Sequence, residues 1–192
     1  MRRIERSEIL PLGEYERVRE HFRGRVIADK RRRRMAIGEH LSVLFENRDS
    51  VMLQIQEMLR TERITSEPGI LHEIETYNDL LPAPGQVSLT LFVQIPDREL
   101  RERFLRDLVG LEESLALEVG GSKVLATGKR QGAEADRTTA VHYLKLDVPG
   151  EMGAALKAGA DAFLAVEHPK YRERSALPAE VRAELVGDLT SS

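Results

Sequence analysis

The stretch Gln86–Ile95 reads QVSLTLFVQI, and it restricts the fold more than any other segment. Val87, Leu89, Leu91, Val93 and Ile95 recur at every second position, the period of a β-strand with one apolar face. Segments of similar character lie on both sides of it. RVIADK reads as a strand, MAIGEHLSVLFEN as one or two more, and SLALEVGGSKVLATG as a hairpin around Gly120-Gly121. TTAVHYLKLDV and AFLAVEH complete the set. Helical spacing appears at Glu14–Arg23 and from Val51 to about Arg63, the latter with Asp49 or Ser50 as its N-cap. Another helix opens at Ser66 with Pro68 in its first turn and stops before Pro82. DRELRERFLRDLV carries the stripe Leu100, Phe104 and Leu108; EMGAALKAG and PAEVRAELVGDL are the last two helices. Tandem strands joined by hairpins, without regular βαβ alternation, predict an α+β fold: a mainly antiparallel sheet with helices packed on it, in a single domain. Its parts are a basic N-terminal stretch (1–48), a helical pair (49–82) and the main sheet with its helices (86–192). The polar loop GKRQGAEADR is the expected mobile segment.

The chain has 192 residues, enough to bury a core without cross-links, and its five histidines stand beside no cysteine at all. That composition excludes disulfides, thiol catalysis and Cys-ligated metals within the chain. No run approaches the length of a membrane-spanning helix, and the charged opening MRRIERSEIL is unlike a signal peptide, so a cytoplasmic location is expected. Charge is unevenly spread: residues 1–40 carry twelve Lys/Arg against seven Asp/Glu, leaving seventeen against twenty-five in the rest. The basic run Lys30, Arg31, Arg32, Arg33 and Arg34 is the focus of that asymmetry. As a charged strand edge it would deter aggregation; as a patch it would dock an acidic protein. Nucleic acid is the weaker partner for it, because aromatic residues are scarce and the remaining chain is acidic.

The helix in FENRDSVMLQIQEMLRTER poses a separate question. At 100° per residue Val51, Met52, Ile55, Met58 and Leu59 share one arc, whereas Leu53 and Ile64 fall opposite, with Glu57 and Arg60 between them. A helix apolar on two sides is covered on both, by its own chain or by a second subunit, and a homodimer is one way to do it. Glu57 and Arg60, three residues apart, are expected to pair. Burial of that pair would make Glu57→Ala cost about 3 kcal/mol or more, exposure under about 1 kcal/mol. Glu46 and Arg48 flank the helix start, where they either satisfy free backbone groups or clamp an anion. Tyr77 and Asn78 in EIETYNDLLP complete the structural or binding candidates.

Metal chemistry would have to use histidine and carboxylate. His72, Glu75 and Asp79 share one helical face, a pattern that also describes a solvated surface. His142 is in phase with Leu144 and Leu146, and His168 with Leu164 and Val166, so both point to apolar faces. The two could meet across the sheet to ligate a metal or move a proton; the commoner outcome is a hydrogen-bonded core histidine. No cofactor is predicted, and the identity of any metal stays open. No nucleophile motif, Walker loop or Rossmann glycine pattern is present.

FENRDSVMLQIQEMLRTER, EIETYNDLLP, AVHYLKLDV and VEHPKY together resemble the motifs of a bacterial family, domain-of-unknown-function family 3501, over almost the whole chain. The resemblance implies a cytosolic bacterial protein with no established activity, set beside rubrerythrin-like and iron–sulfur oxidoreductase proteins and so in a redox or peroxide-stress context. It brings no catalytic residues with it. The expected function is a non-catalytic accessory or binding protein for redox partners. The alternative is a metal-dependent enzyme or metal-binding protein using His142 and His168, with a nucleic-acid-binding module through residues 30–34 a distant third.

Overall fold

The computed structural model describes residues 1–128 and 136–190. They form a single α+β domain with six α-helices and two four-stranded antiparallel sheets. The first sheet has the order β1 (Arg34–Ile37), β2 (Leu41–Phe45), β3 (Gln86–Val93), β6 (Val141–Asp147). The second is ordered β5 (Ser122–Leu125), β4 (Leu115–Val119), β7 (Ala162–His168), β8 (Tyr171–Ala176). Their edges approach each other. Thr127 bridges to Lys145 on β6, and the Tyr171 hydroxyl of β8 donates to the Ile37 carbonyl of β1.

One core lies between the sheets. Val43 and Leu89 from the first sheet meet Leu117 and Leu164 from the second, and Leu185 of α6 (Ala179–Thr190) joins them. A second cluster lies on the other side of the first sheet, where Val51 and Ile55 of α2 (Arg48–Thr61) pack with Ile74 of α3 (Glu67–Asn78) and with Ile4 and Ile9. β3 is therefore buried on both faces, and Ser88 and Thr90 are as hidden as the leucines beside them.

Several expectations are corrected. RVIADK is not a strand: it continues α1, which runs from Leu12 to Arg32. The basic run therefore straddles a helix end and the start of β1, and only Arg34 lies on that edge strand. Arg33 is buried at 5% exposure and paired with Glu184 and Asp188, while Arg32 pairs with Asp29. Positive charges at a helix C-terminus also meet the negative end of its dipole. The N-cap of α2 is Asn47, whose side chain accepts from the Ser50 amide while its own backbone amide donates to the Ser50 hydroxyl. β8 has no counterpart in the sequence reading because YRERSA has no apolar alternation; it is an outer strand with no buried side chain. α4 (Arg98–Asp107) buries Leu105 most deeply, with Leu100 and Phe104 at the margin of the core. Of the polar loop, residues 129–135 lie outside the described residues. Among those described, no helix is long and apolar enough to cross a membrane.

Candidate functional site

Most of the sequence candidates are engaged in holding the chain together. The Glu46 carboxylate, 4% exposed, accepts hydrogen bonds from the hydroxyls of Ser50 on α2 and Thr90 on β3. Arg48 does not face an open anion site. It grips both Glu8 oxygens and the Arg2 carbonyl, and its guanidinium holds the Glu8 carboxyl down to about 2. The Asn78 amide makes a two-way bond with the backbone of Ile4, at 2.8 and 2.9 Å, as a neighbouring strand would. Gln56 does the same to Leu10.

Glu57 and Arg60 do not pair as ion partners. The Glu57 carboxylate receives two bonds from Arg19 and one from the Tyr15 hydroxyl, all from α1, and Arg60 reaches Glu16. Arg19 keeps the Glu57 carboxyl below its ordinary value. The polar groups of α2 thus fasten the N-terminal arm and α1 to it, and the cover on its second face comes from the same chain.

The two strand histidines do not share a site. His168 donates through Nε2 to the Val109 carbonyl at 3.1 Å and accepts the Lys170 amide at Nδ1, so both ring nitrogens are satisfied. His142 lies on the other sheet, 1% exposed, with Thr138 beside Nε2 and Glu112 Oε2 at 3.8 Å from Nδ1. Burial pushes the His142 imidazole below its usual value, so it is neutral near pH 7, and Nδ1 and Glu112 Oε2 have no hydrogen-bond partner. Both residues are sealed from solvent, which keeps any substrate from this acid–base pair. Among the described residues, no three His, Asp or Glu side chains are placed to hold a metal.

An open cleft of about 430 Å³ lies elsewhere, between the C-terminal end of α3 and the outer face of β3 and β6. Tyr77, Asp79 and Leu80 form one wall, Tyr143 and Lys145 the other, with Ser88 at the floor. Alternation places these β6 side chains opposite His142, Leu144 and Leu146, so the strand that feeds the core with one face builds the cleft with the other. The Gln54 amide of α2 lies 3.5 Å from the Tyr143 hydroxyl, and burial pushes the Tyr77 phenol up. Gly128 closes the far end. A Cβ there would come within 2.4 Å of Leu144 Cδ2 and 2.8 Å of the Tyr143 carbonyl, so this backbone packs where only glycine fits. Lys145 is anchored by two backbone bonds to Thr127, and its ammonium donates to the Leu81 carbonyl at 3.2 Å. No carboxylate pairs with it among the described residues.

Comparison with known proteins agrees with this architecture. The family model "Protein of unknown function (DUF3501)" matches residues 3–189. The chain belongs to this family. A crystal structure described as a novel protein of unknown function, from Burkholderia pseudomallei K96243, is similar at 35% identity and a TM-score of 0.91. That match covers 98% of this chain and 100% of the other. No curated protein matches. For this DUF3501 member, sequence reasoning named Tyr77 but missed Tyr143, Lys145 and Glu112. Tyr143 and Lys145 could have been found from the phase of AVHYLKLDV, whose second face is neither apolar nor simply charged. Glu112 had no comparable signal, because it is buried by a 3-10 turn (Leu111–Glu113) following Gly110.

Proposed function

We propose that the chain is a non-catalytic binding protein that holds a small organic molecule in the cleft between Tyr77 and Lys145 and acts as an accessory to redox or peroxide-stress proteins. The observation that supports this reading is a contrast. The cleft is open, largely apolar and furnished with a few polar groups, the character of a small-molecule site. The acid–base candidates are either sealed, as His142 and Glu112 are, or spent on internal contacts, as Glu46, Arg48 and Glu57 are.

The redox setting comes from the resemblance carried by the sequence motifs, and the partner on this reading is a rubrerythrin-like or iron–sulfur protein. Arg17, Arg23 and Arg31 are exposed on α1 and suit an acidic surface on such a partner. Native mass spectrometry of protein purified from its own host tests the reading. The expected spectrum shows the chain with a small organic adduct or a bound redox protein. Stoichiometric metal, or turnover of a co-purified substrate, overturns it in favour of the metal-dependent alternative.

A further inference from the structure

We infer that the ligand of this cleft is a small, largely apolar monocarboxylic acid, its carboxylate held by Lys145 with the tyrosine hydroxyls of Tyr77 and Tyr143 beside it. The inference rests on the proposed binding role of the cleft and names the chemistry that would fill it. Lys145 is half-buried and offers three N–H donors, of which one is used, on the Leu81 carbonyl. An ammonium withdrawn from water and given one neutral acceptor gains most from an anion, because the charge-assisted bond replaces lost solvation. Its backbone is held on both edges: Lys145 exchanges two bonds with Thr127 and is paired with Ser88 of β3, and the chain at Gly128 is packed against Leu144.

The charge count limits the anion. Among the described residues the cleft presents one cation, Lys145, and one carboxylate on its wall, Asp79. A phosphate dianion needs several cations or a bidentate arginine, and Asp79 would oppose it. A single carboxylate matches one lysine. Tyr77, Tyr143 and Leu80 supply apolar surface for the remainder of the ligand, and a volume of about 430 Å³ takes a one- or two-ring acid or a medium-chain fatty acid.

The test is a titration of the full-length ¹⁵N-labelled chain with matched pairs: indole-3-acetate against indole-3-ethanol, octanoate against octanol, and inorganic phosphate alone. Each acid is expected to bind at least about 10-fold tighter than its alcohol, with shifts confined to residues 76–80, 88 and 143–145. Lys145→Gln should erase that preference and leave the alcohols unchanged, while Lys145→Arg should retain it; the amide spectra of both variants report whether the fold is kept. Equal binding of acid and alcohol, or an acid preference that survives in Lys145→Gln, overturns the carboxylate assignment and leaves the cleft as a binding site. Tighter binding of phosphate than of either acid overturns it as well. Shifts at these residues with none of the five probes, in a chain purified free of adducts, overturn the cleft and the proposed function with it.

Discussion

Glu46 and His142 show how this chain treats buried polar groups in two ways. Glu46 has both carboxylate oxygens engaged by hydroxyls, so its removal strands the donors it was serving. Glu46→Ala is expected to cost about 2–3 kcal/mol and Glu46→Gln less, by urea denaturation, because the Gln amide still accepts from one hydroxyl and the other hydroxyl can turn to accept from its NH2. His142 instead faces Glu112 without a hydrogen bond on Nδ1. Its folded-state value is depressed, so as pH falls below the ordinary histidine value of about 6.5 the unfolded chain takes up the proton first. Stability should therefore decline with acid from that point, and His142→Leu should flatten the slope between about pH 6.5 and 5 in the same denaturation series.

α2 is the element on which the N-terminal arm and α1 are assembled. Gln56 and Asn78 each give one residue of the arm a substitute strand partner, and Arg48 secures Glu8 between them. Hydrogen exchange checks this directly: the Ile4 and Leu10 amides should be protected, and Asn78→Ala should release Ile4 well before the strands of either sheet. Acid should act on the same arm. The Glu8 value is lowered to about 2, so its contribution is present above the unfolded value of 4.5 and is lost as pH falls from there toward 2. Glu8→Gln should remove that dependence. Glu57 is half-buried and shared by Arg19 and Tyr15, and Tyr15 is 1% exposed. Glu57→Ala should accordingly cost about 1–3 kcal/mol, mainly for the Tyr15 hydroxyl left without its acceptor, with a double-mutant cycle against Arg19 measuring the ion pair.

At the scale of the molecule the two sheets share one core and touch at their edges, so they are expected to unfold together. Near-ultraviolet and far-ultraviolet signals should trace one coincident urea transition. The seam at Gly38 is the place to disturb this. Its φ is +63°, and an added Cβ would sit 2.5 Å from the Tyr171 hydroxyl and 2.6 Å from Glu173 Cγ. Gly38→Ala should lower stability by more than about 1 kcal/mol through strain and loss of the Tyr171–Ile37 contact. Arg33→Met should cost about 3–5 kcal/mol, since it leaves Asp188 without a cation and Glu184 with the exposed Arg32 alone.

The sequence alone determined the α+β class, the antiparallel pairing and most of the elements, because periodicity is a local property that burial imprints on each segment. It also showed that α2 must be covered on two sides. It could not show by what: α1 and α3 approach through contacts tens of residues away, so the Glu57 partner was misplaced onto Arg60. RVIADK looked extended because its Val-Ile pair was read without the helix that precedes it, and YRERSA looked like nothing because an exposed outer strand needs no apolar pattern. The cleft belongs wholly to tertiary structure. Tyr77 and Lys145 are 68 residues apart in the chain, and only the packing of α3 across the outer face of β6 brings a phenol and an ammonium to the same apolar hollow.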